Sequence, residues 1–207
     1  MAFFPMFVEL QGAPCLLVGG GTVALHKAAV LKDFGAKVTV VSPHLCSALQ
    51  NDRQLICMKK PFDTADLDEK TLVVAATDNQ ALNRHIAQLC RERNIPVNAV
   101  DQAEDCSFIF PAYVKEGDVV AAFTSGGNSP LLAQHLKAQV RQFLTPELAE
   151  LARFLGSIRP RVKKEIPPGK ARRQAFHALL ELGLQTHRIP APAELEAVLA
   201  KYRPSSR

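Results

Sequence analysis

Short apolar runs alternate with stretches of helically spaced apolar residues through the first half of this chain. Cys15–Val18, Lys37–Val41, Leu55–Lys59, Thr71–Ala75 and Pro96–Val100 read as strands, each short and bounded by turn or polar residues. Between the first two, Val23–Phe34 reads as a helix that stops at Gly35. A second helix is predicted over Asn79–Arg93, where Ala81, Leu82, Ile86, Leu89 and Cys90 recur on one face. Alternating strands and helices argue for a parallel sheet covered on both faces. Right-handed crossovers assemble it into a doubly wound, Rossmann-type α/β fold. Its ligand crevice is expected at the strand C-terminal ends.

The pattern changes at Cys106. Ser107–Val114 and Val119–Thr124 read as a hairpin joined by Lys115-Glu116-Gly117-Asp118. Ser129 as N-cap and Pro130 at the first helical position open a helix to about Leu144. Thr145-Pro146-Glu147 repeats the device and opens a helix to about Leu155. Pro167-Pro168-Gly169 breaks the chain, and the last 38 residues read as helical with a further break near Pro190–Pro192.

The first strand runs straight into Gly19-Gly20-Gly21-Thr22-Val23-Ala24. As Gly19-x-Gly21-x-x-Ala24 this fits the dinucleotide fingerprint, in which the last small residue lets the helix approach the sheet. Gly19 accommodates a turn, and Gly21 leaves room for a pyrophosphate against the main chain. The helix N-terminus then offers free N–H groups and a positive dipole end. Glycines alone also serve tight turns that hold no ligand, so the surrounding strand–turn–helix context carries the reading.

Composition narrows the class. The 207 residues are 47% hydrophobic and 22% charged, ordinary for a globular protein with a sizeable core. No apolar run is long enough to span a bilayer and the N-terminus lacks a secretory pattern, so no membrane association and a cytoplasmic location are expected. Cys15, Cys46, Cys57, Cys90 and Cys106 form no Cys-x-x-Cys pair, and the histidines share no ligand spacing, so no resident metal site is expected. The net charge of +5 is uneven: Arg153, Arg159, Arg161, Lys163, Lys164, Lys170, Arg172 and Arg173 face one acid, Glu165. Such a run is either a solvated face or a site for an anion.

The strand ends hold the candidate chemistry. A dinucleotide site usually carries an acid after its second strand, but here the chain reads Ser42-Pro43-His44, which does not distinguish NAD from NADP. Ser42 can bond a ribose hydroxyl; His44, in a loop, is equally a surface residue. Thr77 and Asp78 end the fourth strand across the crevice from the glycines, with Asp78 also a helix-cap candidate. Asp101 ends the fifth strand, where a carboxylate is placed for acid–base work or simply for a turn.

The ordered set Val18-Gly19-Gly20-Gly21-Thr22-Val23-Ala24 with Lys27-Ala28, Ala75-Ala76-Thr77-Asp78, Asn98-x-Val100-Asp101, Ser107-Phe108-Ile109-x-Pro111-Ala112 and Ser125-Gly126-Gly127-x-Ser129-Pro130 resembles precorrin-2 dehydrogenase, the N-terminal module of siroheme synthase. The resemblance covers about residues 3 to 165. It implies an NAD-binding domain over residues 1–112, a dimerisation element over 113–145 and a basic helical domain over 146–207. It also implies NAD-dependent oxidation of precorrin-2 to sirohydrochlorin, with Fe2+ insertion into the product in bifunctional members. Carried onto this sequence, the cofactor contacts are Gly19, Gly20, Gly21, Thr22, Val23, Ser42, Pro43 and His44; Thr77 joins them from the position of its loop across the crevice. Asp101 matches the family's essential aspartate. Ser125 matches a serine that is phosphorylated in some members, and with Arg153 and Arg159 it is expected to meet the polycarboxylate substrate. The expected partners are precorrin-2 or sirohydrochlorin, Fe2+ as substrate and a second copy of the chain, not nucleic acid. The family's methyltransferase module lies outside this sequence, so methylation of uroporphyrinogen is expected to be done elsewhere. Two alternatives stay open: a dehydrogenase without chelatase activity, and a ligand-sensing module whose basic tail binds a partner.

Overall fold

In the computed structural model, which describes residues 4–204, the run Pro14–Val18 forms a central strand, β1, buried from Cys15 to Val18. It pairs in parallel with β2 (Lys37–Val41) on one side and β4 (Leu72–Ala75) on the other. β3 (Ile56–Met58) and β5 (Val97–Ala99) complete a five-stranded parallel sheet of order β3-β2-β1-β4-β5. The doubly wound, Rossmann-type sheet expected from the sequence is therefore what the chain adopts.

Alternation along the strands feeds two cores. Cys15, Leu17, Val38, Val40 and Val74 pack against Ala24, Ala28 and Leu31 of helix α1 (Thr22–Asp33). Leu16, Val18, Val73, Ala75 and Val97 pack on the opposite face against Ile86, Ala87 and Cys90 of α3 (Gln80–Glu92). A four-residue helix, α2 (Ser47–Gln50), and two 3-10 turns, Thr64–Leu67 and Ala103–Asp105, lie in the connections, too short to leave a periodic pattern.

The chain divides into two compact units, residues 4–110 and 111–204 of the described stretch; the expected domain ranges 1–112 and 146–207 begin and end on residues 1–3 and 205–207, outside it. In the second unit, β6 (Ala112–Glu116) and β7 (Val119–Phe123) form an antiparallel hairpin. The first hairpin strand was expected from Ser107, but residues 107–111 are not in it. Ser107 is bonded back to the sheet instead: its N–H donates to Val97 O at 2.8 Å and its Oγ accepts from Val97 N at 2.8 Å. The connection is accordingly tighter than expected, just Gly117 and Asp118.

Helix α4 (Pro130–Phe143) packs on the hairpin, with the Ser129 hydroxyl accepting from Leu132 N. Helix α5 (Pro146–Glu165) runs ten residues beyond the expected end at Leu155, straight through Pro160. An interior proline costs about 3 kcal/mol, through its missing N–H and its clash with the carbonyl four residues back. Burying Ile158 and Val162, at roughly 1.5–3 kcal/mol each, offsets that. α6 (Lys170–Thr186) and α7 (Pro192–Tyr202) close a core of Ile158, Val162, Ile166, Leu179, Leu195 and Leu199. Among the described residues no helix is long and apolar enough to cross a membrane.

Candidate functional site

Val18, Val41, Ala75 and Ala99 stand in one row across the sheet, each paired in register with its neighbour's end. The loops after β1, β2, β4 and β5 therefore leave from a common edge. Gly19, Gly20, Gly21, Thr22, Val23, Ser42, Pro43, His44, Thr77 and Asp101 all lie in those loops or in the first turn of α1.

The three glycines do different things. Gly19 has φ +130°, and a Cβ there would sit 2.2 Å from Ala76 O, so neither backbone nor space admits a side chain. At Gly20 a Cβ would meet His44 O at 1.8 Å, so this residue lets the β2 loop close over the turn. Cys46 N completes that closure by donating to Gly20 O at 2.8 Å. Gly21 has ordinary extended angles and no heavy atom within 4 Å of an added Cβ: its space is open.

That opening sits at the N-terminus of α1. Gly21 is its N-cap, no side chain caps it, and no acid stands in its first turn. By contrast α3, α4 and α5 are capped by the side chains of Asn79, Ser129 and Thr145. The first helical bond is Leu25 N to Gly21 O, so the amides of Thr22, Val23 and Ala24 have no acceptor within the helix, next to the open space at Gly21. An uncapped helix end beside a side-chain-free cradle fits a diphosphate.

The β2 end supplies less. Ser42 is buried and its hydroxyl donates to His44 O at 2.7 Å, which leaves it lone pairs for a ligand but no proton. Pro43 and His44 are exposed, and no carboxylate stands at this strand end. Thr77 braces its own loop, its hydroxyl donating to Asn83 Oδ1 at 2.6 Å. Asp78 does not cap α3; Asn79 does, accepting from Leu82 N at 3.1 Å, one residue nearer the first turn.

Past β5 a cavity of about 420 Å³ opens, lined by Lys27, Asn98, Asp101, Gln102, Cys106 and Phe110 among others. Asp101 is exposed with φ +60°, a left-handed conformation that Asp tolerates better than most residues. Behind it the 3-10 turn is pinned through the buried Asp105, which accepts from Arg84 Nε at 3.2 Å and pairs with Arg91 at 3.4 Å. Gln102 is buried, donating to Gln80 O at 3.1 Å while its Oε1 has no partner. Burial pushes the Cys106 thiol up, and its Sγ donates to Ala99 O at 3.1 Å. Lys27 lies with Nζ 3.9 Å from the Phe110 ring centroid. Burial lowers its pKa, against the opposing influence of Cys106 and Asp101.

Lys27, Gln102, Cys106 and Phe110 were not among the expected site residues. Lys27 did leave a signal: it falls in the apolar stripe Ala24–Ala28–Leu31, three residues after Ala24, where a cation is out of pattern. The other three come together only through folding.

Ser125, Arg153 and Arg159 belong to the second unit. The Ser125 hydroxyl accepts from Ser129 N at 2.8 Å in the loop before α4. Arg153 and Arg159 are exposed on α5. Part of the basic run is consumed internally. Arg161 pairs with Glu165 at 2.8 Å and with Glu196, and Arg172 donates to Ile166 O at 2.7 Å, closing the end of α5. Among the described residues no group of three or more His, Cys, Asp or Glu is placed to hold a metal ion.

Residues 6–112 match the family model described as putative NAD(P)-binding, and residues 147–187 match the Sirohaem synthase dimerisation region. That second range is a different stretch from 113–145, where the pairing element was expected. The siroheme synthase of Thioalkalivibrio sulfidiphilus is 43% identical over 184 residues, covering 87% of this chain and 38% of the relative. The siroheme synthase of Methylococcus capsulatus is 39% identical over 184 residues, covering 87% and 39%. The chain thus spans about two fifths of the length of these curated relatives. A solved structure described as SirC, precorrin-2 dehydrogenase, superposes with a TM-score of 0.76 at 24% identity, over 97% of this chain and 98% of that one, which shows a common fold. With more than half of its residues in the first model, this chain belongs to the putative NAD(P)-binding family, and its residues 147–187 match the Sirohaem synthase dimerisation region besides.

Proposed function

We propose that this protein oxidises precorrin-2 to sirohydrochlorin, and that Asp101 and the glycine turn are the two halves of its active site. The observation that carries the reading is their shared edge: an open, uncapped helix end at Gly21 and an exposed carboxylate at Asp101 leave from one row of strand ends. The names of its siroheme synthase relatives supply the substrate class.

Bound NAD+ supplies the hydride acceptor. Gly19, Gly20 and Gly21 with the amides of Thr22 and Val23 hold its pyrophosphate. Ser42, Pro43 and His44 border the adenosine, and the Thr77 loop borders the nicotinamide. Precorrin-2 loses a hydride and a proton, giving sirohydrochlorin, NADH and H+. Asp101 is the base that takes the proton. Ser125, Arg153 and Arg159 contact the substrate's carboxylates.

Residues 1–112 serve as the nucleotide domain, 113–145 as a pairing element and 146–207 as a basic helical domain in a homodimer; the match at 147–187 supports pairing through the helices as well. The same cavity carries Fe2+ insertion as a second activity, with the pyrrole nitrogens as ligands and the two displaced N–H protons passing one at a time through the exposed Asp101 to solvent. Five free thiols suit a reducing cytoplasm.

The test is direct. Protein, NAD+ and precorrin-2 are mixed, and NADH and the sirohydrochlorin spectrum are followed together. Both appear if the reading is right. Binding of nucleotide without either would make the chain a ligand-binding module instead. Adding Fe2+ to sirohydrochlorin with and without protein then tests the second activity separately.

A further inference from the structure

Lys27 is an ammonium in a place built for an apolar side chain. It occupies the stripe of α1 formed by Ala24, Ala28 and Leu31, and it is half-buried. Phe110 offers its ring face at 3.9 Å, which holds a cation without neutralising it. Among the described residues Lys27 forms no ion pair with any carboxylate. Asp101, the acid lining the same cavity, acts on it only at longer range. Cys106, also in that lining, is held toward its neutral thiol by burial. A methionine would fill the position without the cost of desolvating a charge. A lysine there, facing open space of about 420 Å³, is one half of an ion pair whose other half comes from outside.

We propose that Lys27 is a substrate-binding residue, its ammonium taking a carboxylate of the tetrapyrrole and seating the macrocycle beside Asp101. This rests on the precorrin-2 reading above. A phosphate of the nucleotide is the less suitable partner. Lys27 is five residues past Thr22, about 7.5 Å along α1 from its N-terminus, and its charge lies in the Asp101 cavity.

The probe is sirohydrochlorin, titrated without nucleotide against the full chain and against Lys27→Met and Lys27→Arg, with NAD+ affinity measured separately. Lys27→Met is expected to weaken sirohydrochlorin binding about tenfold or more and to raise the KM for precorrin-2 in parallel. NAD+ affinity and kcat should stay within about twofold, since the lost contact is made equally in ground and transition states. Lys27→Arg should restore most of the affinity, and the wild type should lose binding with added salt more steeply than Lys27→Met. A Lys27→Met protein that folds and binds sirohydrochlorin as the wild type does, or that loses NAD+ instead, overturns the proposal. If that variant fails to fold, Lys27→Gln carries the same comparison. A wild type that neither oxidises precorrin-2 nor binds sirohydrochlorin overturns the functional reading itself; a wild type that does both, with an unaffected Lys27→Met, overturns only the role of Lys27.

Discussion

Asn83 holds Thr77 at three atoms. Its Oδ1 accepts from Thr77 N at 3.2 Å and from Thr77 Oγ1 at 2.6 Å, and its Nδ2 donates to Thr77 O at 3.0 Å. The amide is buried one turn into α3, so it ties the end of β4 to the helix that comes next. Asn83→Leu leaves Thr77 N and Thr77 O without that partner, while the hydroxyl keeps its bonds to the Asn79 backbone, and is expected to destabilise the first unit by about 1–3 kcal/mol. Thr77→Val removes only the hydroxyl and should cost less. Urea unfolding of both variants checks the order; equal midpoints for Asn83→Leu and wild type would remove the clamp.

The glycine turn gives a paired test, because neighbouring residues face different neighbours. Gly20→Ala drives a methyl into His44 O and is expected to cost about 1–3 kcal/mol of stability. Gly21→Ala meets nothing and should lose only the N-cap preference of glycine, about 1 kcal/mol or less. Gly21→Asp should also fold, yet put a like charge where the diphosphate is expected, weakening NAD+ at least about tenfold. Calorimetry with and without NAD+ separates the two effects. Unchanged NAD+ affinity in Gly21→Asp would move the pyrophosphate elsewhere.

The sheet was legible because its signal is local. Runs such as Leu16-Leu17-Val18 and Val38-Thr39-Val40-Val41 declare strands, and the Ser129-Pro130 pair declares a helix start. What was not legible depends on partners distant in sequence. No spacing rule says that Gly20 is reserved for His44 O, or that Asp105 is buried between Arg84 and Arg91. Ser107 could not be read as tied to Val97 because the bond is a tertiary one. Pro160 looks like a stop until the buried face around it is known. Asp101 was visible as a strand-end carboxylate, while Lys27 becomes a site residue only once Phe110 and the cavity past β5 are in place beside it.

Asp101→Asn isolates charge from shape. Asn adopts the left-handed backbone at φ +60° as readily as Asp, so the loop should stand unchanged. Loss of the base should lower the rate of precorrin-2 oxidation about 10²-fold or more. NAD+ affinity, set at the far side of the edge, should hold. Single-turnover formation of NADH gives the rate and equilibrium titration gives the affinity. A variant oxidising precorrin-2 at the wild-type rate would strip Asp101 of its role.

Acid should loosen the helical unit through a specific carboxylate. Bonds from Arg188, at 2.8 Å to each oxygen, hold the Glu194 carboxyl down to about 2, helped by Ala191 N at 2.7 Å. Glu165 and Glu196 are lowered in the same direction by Arg161 and Arg203. A carboxyl depressed by folding contributes its full stability above its unfolded value near 4.5 and loses it as pH falls toward 2. In the first unit the arginine-paired carboxylate Asp105 lies in a three-residue 3-10 turn that adds little helix, so helix content from α5 to α7 is the signal that should fall in that window. Glu194→Gln keeps an acceptor for Ala191 N but has no charge to lose. It should be less stable than wild type at neutral pH and flatter in its acid response, the two curves converging as pH approaches 2. Circular dichroism across pH 2 to 7 reads both slopes. Parallel curves would mean that the Arg188 pair is carried by solvent-exposed groups whose attraction water cancels.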